Sequence, residues 1–176
     1  MVKILSENGV ENVLVSYYYL REKGEKTVER ILNTFPDVFL DSGAFTLNVQ
    51  IAKEGTSWED IAKDPRIKDY VEDYARFLDK WGDRFTVHAE IDVGPWEQKA
   101  RQREFLQQYS DRLLPVIHPT DPPEYQAYLM KNYDYVALGG VGDARSLAEI
   151  KAYVTRKMQQ ARKYGARYHG LKCEVM

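Results

Sequence analysis

An acid, a hydroxyl, a glycine and an aromatic ring follow one another at Asp41, Ser42, Gly43 and Phe45. They come directly after Val38-Phe39-Leu40, a short apolar run typical of a buried parallel strand. The carboxyl end of such a strand is where α/β folds bind ligands. There the Asp41 carboxylate can take a proton or accept a ring N–H, Gly43 permits close backbone approach, and Phe45 offers a face to a flat ring. The same residues also fit a plain turn in which Asp41 caps the next helix.

Other polar residues recur at the ends of further predicted strands. Each has an ordinary structural role open to it, because an aspartate can cap a helix, a histidine can bond a loop carbonyl and a glycine pair can make a tight turn. Glu90 lies on the same predicted strand face as Asp92, where it supports the site or faces the interior with a partner. The polar candidates at the ends of these further strands are Asp92, His118, Gly139, Gly140 and His169.

Strand and helix patterns alternate along the chain, which predicts a parallel sheet built from right-handed crossovers. Because the polar residues fall at the same point of each unit, we expect a (β/α) TIM-type barrel shortened to about six units, with these residues around one mouth. Such a barrel leaves edges, and we expect a helix, a loop or a second subunit of a homo-oligomer to cover the gap. Helices are predicted near 27–32, 56–60, 67–81, 97–109, 123–131 and 145–164, and strands near 11–19, 37–41, 85–92, 113–117, 135–139 and 166–171.

Composition sets the background for these motifs. The 176 residues are 44% hydrophobic and 30% charged with a net charge of −2, which predicts one globular domain over 1–176. No apolar run is long enough for a membrane span or a signal peptide, and the single cysteine excludes a disulfide framework and a cysteine-built zinc site. We therefore expect a cytoplasmic protein with no membrane partner, no metal and no cofactor, since no dinucleotide or Walker motif is present either.

Five segments, taken in order, resemble motifs of one enzyme family. The segment from Phe39 to Phe45 resembles the Asp-Ser-Gly-Gly-Phe segment of tRNA-guanine transglycosylases, and more closely the Asp-Ser-Gly-Ala-Phe form of phage and bacterial relatives that put 7-deazaguanines into DNA. Ile91-Asp92 resembles the family's second acidic strand end. The other similar segments are Pro115 to His118 (a base-contacting position, commonly glutamine), Tyr135 to Val141 (Ala-Ile-Gly-Gly-Leu) and Tyr168 to Leu171 (His-Gly-Leu-Gly).

The resemblance implies base exchange on a (β/α) barrel. In the family an aspartate attacks the anomeric carbon of a guanosine, guanine leaves, and a 7-deazaguanine takes its place on the covalent glycosyl-enzyme. Asp41 would match the aspartate considered for proton transfer, Asp92 the acid that reads the base, and Phe45 a stacking neighbour. The implied partners are guanine or 7-deazaguanine and a DNA or tRNA substrate. The remaining substrate-binding residues would be Ser42, Gly43, His118, Gly139, Gly140 and His169.

The chain departs from the family at two points. The family's nucleophilic aspartate lies on a strand after the His-Gly-Leu segment, whereas this sequence ends at Met176, just beyond that segment. The family's Cys-x-Cys-x-x-Cys…His zinc site has only Cys173 as a counterpart. We expect either a fragment or a shortened relative with altered chemistry, in which Asp41 and Asp92 are the candidates for nucleophile, base or acid. Three functions stay open: a transglycosylase-like enzyme, a nucleoside or nucleotide N-glycoside hydrolase, and a non-catalytic base-binding subunit.

Overall fold

The computed structural model describes residues 2–140 and 146–170, with the backbone alone for His169 and Gly170. The chain divides into two compact units, Met1–Leu113 and Leu114–Met176. The two units are described separately below.

The first unit is a parallel sheet with helices. Its strands are ordered β1-β2-β3-β4, and Ser16 at the end of β1 lies opposite Asp41 at the end of β2. The strands are β1 (Asn12–Ser16), β2 (Asp37–Asp41), β3 (Val87–Ala89) and β4 (Leu113–Leu114), the last at the division between the units. The helices are α1 (Val2–Glu7), α2 (Tyr17–Leu20), α3 (Glu25–Thr34), α4 (Ala44–Lys53), α5 (Pro65–Trp81) and α6 (Trp96–Leu106), with 3₁₀ turns at Ile61–Lys63 and Gly82–Arg84.

The second unit repeats the same plan with three strands. β5 (Val116–Ile117), β6 (Tyr135–Leu138) and β7 (Arg167–Gly170) form a parallel sheet in that order, and β6 pairs with both neighbours. The connecting helices are α7 (Pro123–Asn132) and α8 (Leu147–Tyr164). Ser146 caps α8 by accepting the N–H of Glu149, the hydroxyl half of a capping box.

α5 shows how the sequence builds the first unit. Asp64 accepts the N–H of Arg66 and Pro65 occupies the first turn, so the helix begins where its cap and its fixed φ place it. Its apolar residues recur at helical spacing and are buried in one core with Val38 and Leu40 of β2. The buried face of α5 comprises Ile67, Tyr70, Val71, Tyr74, Ala75, Leu78 and Trp81.

Several sequence predictions need correction. The strand predicted at 11–19 ends at Ser16, because Tyr17 to Leu20 form α2, and the strand predicted at 85–92 is limited to Val87–Ala89. The segment at 113–117 is two strands in different sheets, separated by Pro115, which has no N–H to donate to a ladder. The short helix expected near 56–60 is a 3₁₀ turn at Ile61–Lys63, and α1, α2 and α4 are additional helices.

The alternation of strands and helices is confirmed, and the closed barrel is not. Every strand pairing with a defined register is parallel, as right-handed β/α units require. Within the described residues, however, the strands form two sheets, neither of which closes on itself. None of the helices in 2–140 and 146–170 has both the length and the apolar character needed to cross a bilayer.

Candidate functional site

Asp41 is the last residue of β2, where the chain leaves the sheet. Leu40 before it and Ser42 after it are buried, whereas Asp41 is partly accessible between them. Its Oδ2 accepts the N–H of Gly43 at 2.9 Å, which closes a tight turn into α4. Asp41 therefore makes the turn that the pentapeptide also allows, but it does not cap α4, whose N-cap residue is Gly43 and which has no side-chain capping hydrogen bond.

Gly43 is required by its backbone conformation and by its surroundings. Its φ of 74° is left-handed, and a Cβ atom there would lie 2.5 Å from Cβ of Tyr18 and 2.9 Å from Oγ of Ser16. The space that the glycine leaves is thus filled by the end of β1 and the start of α2. The close approach that the sequence predicts at Gly43 is made by the protein's own chain.

Asp92 lies in the connection between β3 and α6. Its neighbours Ile91 and Val93 belong to the buried core, and Asp92 is partly accessible. Asp92 lies three positions beyond the last residue of β3, Ala89, so it reaches past the sheet edge.

The two aspartates interact electrostatically. Burial raises the pKa of the Asp41 carboxyl above its ordinary value, and the negative charge of Asp92 raises it further. The N–H of Gly43 and the hydroxyl of Ser16 act in the opposite direction without cancelling the rise. A carboxyl whose ionisation is disfavoured by burial and by a neighbouring negative charge is suited to general acid–base chemistry.

Two tyrosines of α5 fix the strand ends that carry the aspartates. The hydroxyl of Tyr70 donates to the carbonyl oxygen of Ser42 at 2.6 Å, and that of Tyr74 donates to the carbonyl oxygen of Ala89 at 2.9 Å. Burial first, and the charge of Asp41 as a smaller cause, raise the pKa of both hydroxyls. These buried hydroxyls therefore stay protonated, and they tie the exits of β2 and β3 to one helix.

Glu90 faces the interior with a partner, as one of the two sequence interpretations holds. Its carboxylate is fully buried and pairs with the buried guanidinium of Arg103 in α6 at 3.0 Å. Breaking such a buried pair costs several kcal/mol, roughly 3–5. The pair fixes the start of the segment that leads to Asp92.

Aromatic and cationic side chains lie around the Asp41 turn. Phe45 in the first turn of α4 is 38% exposed, so its ring has a face available to a ligand. The Arg21 guanidinium lies 4.9 Å from the ring centre of Tyr18 and 5.0 Å from that of Tyr70. Such cation–π contacts hold Arg21 beside the residues that shape this turn.

The second unit brings together His118, Gly139 and Gly140. A Cβ atom on Gly139 would lie 2.8 Å from Nε2 of His118, and one on Gly140 would lie 2.7 Å from Cδ of Pro119. The glycines therefore make room for the His118-Pro119 turn, whose backbone N–H at His118 donates to Asp121. The N–H of Gly139 donates to the carbonyl oxygen of Ile117 in the sheet, so it is already used.

Two sequence predictions fall outside what the structure describes. The backbone of His169 lies in β7 opposite Ala137, but its side chain is outside the described residues. Val141, Leu171 and Cys173 lie wholly outside the described residues. The cavity predicted to join the residues of the two units stays a prediction.

Sequence reasoning missed Ser16, Tyr70 and Tyr74. Ser16 ends its strand as Asp41 ends the next, so the rule that identified Asp41 applies to it equally. The tyrosines are spaced i and i+4 on the apolar face of α5, and this pattern marks them only as core residues. Their hydroxyl partners depend on which strand the helix covers, which the local sequence does not specify.

Comparison with known proteins identifies no relative of this chain. No protein-family model, curated protein or solved structure matches the chain. The resemblance to tRNA-guanine transglycosylases therefore rests on the ordered motifs alone.

Proposed function

We propose that the chain is a transglycosylase-like enzyme that acts on the N-glycosidic bond of a guanine-type nucleotide, with Asp41 as the proton-transfer group. The observation that carries the proposal is the electrostatic interaction of Asp41, at the end of β2, with Asp92 in the connection that follows the neighbouring strand β3. Asp41 is held towards its protonated form by burial and by the charge of Asp92. A carboxyl with a raised pKa is suited to act as a general acid near neutral pH.

The two carboxyls have different tasks in this mechanism. When the bond between C1′ and N9 breaks, the electron pair leaves with the purine, Asp41 supplies the proton that neutralises the leaving base, and C1′ becomes an oxocarbenium-like centre. The incoming base then bonds to C1′ through its own N9, and the N9 proton passes to the Asp41 carboxylate. Asp41 is thereby restored. Asp92 accepts N–H donors of the base edge, which sets base selection.

The resemblance supplies the finer parts of the proposal. The incoming base is a 7-deazaguanine and the acceptor is DNA or tRNA in the cytoplasm. Phe45 stacks on the base, for which its exposed ring is available. The fold is a shortened relative of the (β/α) barrel whose open edge is completed by a second subunit.

Exchange of labelled guanine or 7-deazaguanine into oligonucleotides tests the proposal. Asp41→Asn keeps the side-chain shape and removes the proton-transfer group, so we expect turnover to fall by roughly a hundred- to ten-thousand-fold. Asp92→Asn should chiefly weaken or redirect base selection. Asp37→Asn is the matched control because it lies on the same strand at its exposed amino end, and it should retain wild-type exchange.

The same assay separates the three candidate functions. Base incorporation together with a covalent adduct in the intact mass supports a glycosyl-enzyme route, and incorporation without an adduct supports direct displacement. Release of free base without incorporation would indicate a hydrolase, and binding without turnover would indicate a base-binding subunit. Full activity in a well-folded Asp41→Asn protein would rule out its central role.

A further inference from the structure

Ser16 ends β1 directly beside the end of β2. The parallel register places it opposite Asp41, and its Oγ lies 2.9 Å from the position that a Cβ of Gly43 would take. Gly43 is the residue whose N–H bonds Asp41 Oδ2. The Ser16 hydroxyl is therefore packed against the turn that holds the carboxyl group.

The hydroxyl is not used for the role that its position would normally give it. Ser16 is the N-cap residue of α2 with an extended backbone, and serine there usually accepts an N–H of the first turn. Here its side chain makes no capping hydrogen bond. Its Oγ is buried and has no partner of regular hydrogen-bond geometry. A buried hydroxyl without a regular partner costs free energy, so its placement calls for an explanation.

The carboxyl of Asp41 is the group on which this hydroxyl acts. Ser16 favours the charged form of Asp41, although the contact is looser than a regular hydrogen bond. A hydroxyl can donate to a carboxylate and can accept from a carboxylic acid by rotating its own hydrogen. It therefore can follow the carboxyl through both protonation states.

We propose that Ser16 is a positioning residue for Asp41: its hydroxyl holds the carboxyl in place beside Gly43 and tightens onto it when the proton leaves. The inference deepens the proposed function, since it assigns to Ser16 control over the proton-transfer group. Ser16 acts through Asp41 and needs no contact with the substrate.

The direct test is a titration of Asp41 followed by NMR of its carboxyl carbon. Ser16→Ala removes the donor, so the midpoint of the Asp41 titration should move to higher pH. If Asp41 is the general acid, its titration appears on the alkaline limb of the rate profile, where activity falls as its proton is lost. Removing a hydrogen bond to the charged carboxylate should move this limb to higher pH by roughly a tenfold change in proton concentration. Because the carboxyl loses a restraint as well, kcat should change more than KM.

Ser57→Ala is the matched control. Ser57 bonds the exposed carboxylate of Asp60 at 2.7 Å and, after Lys63, lowers its pKa. The control should therefore raise the Asp60 midpoint and leave that of Asp41 unchanged. The wild-type protein provides a second test, because the Cβ resonance of Ser16 should titrate with the same midpoint as the Asp41 carboxyl.

The outcomes distinguish this inference from the proposed function. An unchanged Asp41 midpoint in folded Ser16→Ala, or a Ser16 resonance that does not follow Asp41, overturns the positioning role. A shifted midpoint in a protein that shows no base exchange or release keeps the positioning role and removes the proposed function.

Discussion

At the scale of single residues, the fold holds Asp41 at some cost to its own stability. Burial and the charge of Asp92 raise the pKa of its carboxyl, so the folded state binds a proton more tightly than the unfolded chain does. The stability that this group contributes is full below its unfolded pKa and is lost as pH rises through the folded pKa. At neutral pH, where the unfolded chain releases this proton, the Asp41 carboxyl therefore opposes folding. Such strain is typical of residues kept for function.

Asp41→Asn should consequently stabilise the protein at neutral pH. The amide oxygen can still accept the N–H of Gly43, and the neutral side chain is free of the unfavourable ionisation. We expect a gain of about 1 kcal/mol in the free energy of unfolding, measured by urea denaturation. The gain should vanish once the medium is acidic enough to protonate Asp41 in both states. Asp37→Asn, at the exposed end of the same strand, is the matched control for removing a carboxylate from β2.

The sequence predicts Asp41 and Asp92 as candidates because each follows an apolar segment. The sequence does not predict that Ser16 is a neighbour of Asp41. That proximity depends on the register between β1 and β2, which pairs Ser16 with Asp41. Register is set by packing across the sheet and is not contained in either strand alone.

At the scale of elements, Gly43 joins β2 to α4 through a conformation and a contact that glycine alone satisfies. Gly43→Ala would introduce a left-handed alanine and place its methyl group against the backbone and Cβ of Tyr18. Gly9 has a nearly identical φ of 72°, and nothing lies within 4 Å of the position of its missing Cβ. The two glycines therefore separate backbone strain from crowding.

Gly9→Ala should cost only the backbone term, about 1–2 kcal/mol in the free energy of unfolding. Gly43→Ala should cost that amount and a further 1–3 kcal/mol or so for overpacking, because the end of β1 must move. Urea denaturation of both variants measures the difference. Equal losses would mean that β1 and α2 yield freely at this turn.

Local patterns predicted the long helices better than the strands. α5 and α6 carry apolar spacing or a charged run with clear ends, so both were found within a few residues. Tyr17 to Tyr19 favour a strand by intrinsic preference, yet they lie in α2. There Tyr17 packs its ring 5.3 Å from that of Tyr70 and 4.8 Å from that of Tyr74. Tertiary packing thus outweighs local β-propensity at this position.

At the scale of the whole molecule, the alternation of strands and helices indicates parallel sheets but does not determine their closure. A barrel needs a consistent tilt and stagger among all strands, which are properties of the complete set. Pro115 interrupts the predicted strand at 113–117, and its two halves belong to separate sheets. The order of strands and helices is thus readable from the sequence, whereas the number of strands and the number of sheets are not.

The pH dependence of folding is also a whole-molecule property, because groups of opposite sign contribute to it. Asp41 favours the folded state as pH falls, whereas His88 does the reverse. His88 is fully buried, its Nε2 lies 2.7 Å from Oγ of Ser110, and its Nδ1 has no partner among the described residues. Burial, and then the charge of Arg112, lower the pKa of His88 to about 4.

Between about pH 6.5 and pH 4, His88 is therefore protonated in the unfolded chain and neutral in the folded protein. Through this window the His88 term lowers the free energy of unfolding as pH falls, by up to roughly 3 kcal/mol at its acidic end. His88→Gln keeps a polar side chain for Ser110 and cannot titrate, so its stability should decline less over the same window. Urea denaturation of both proteins from neutral pH to about pH 4.5 isolates the difference, since Asp41 contributes equally to each. Asp64, whose pKa is lowered to about 2 chiefly by its hydrogen bond to Arg66, titrates largely below this range. Parallel curves for the two proteins would show that His88 takes up its proton without unfolding the chain.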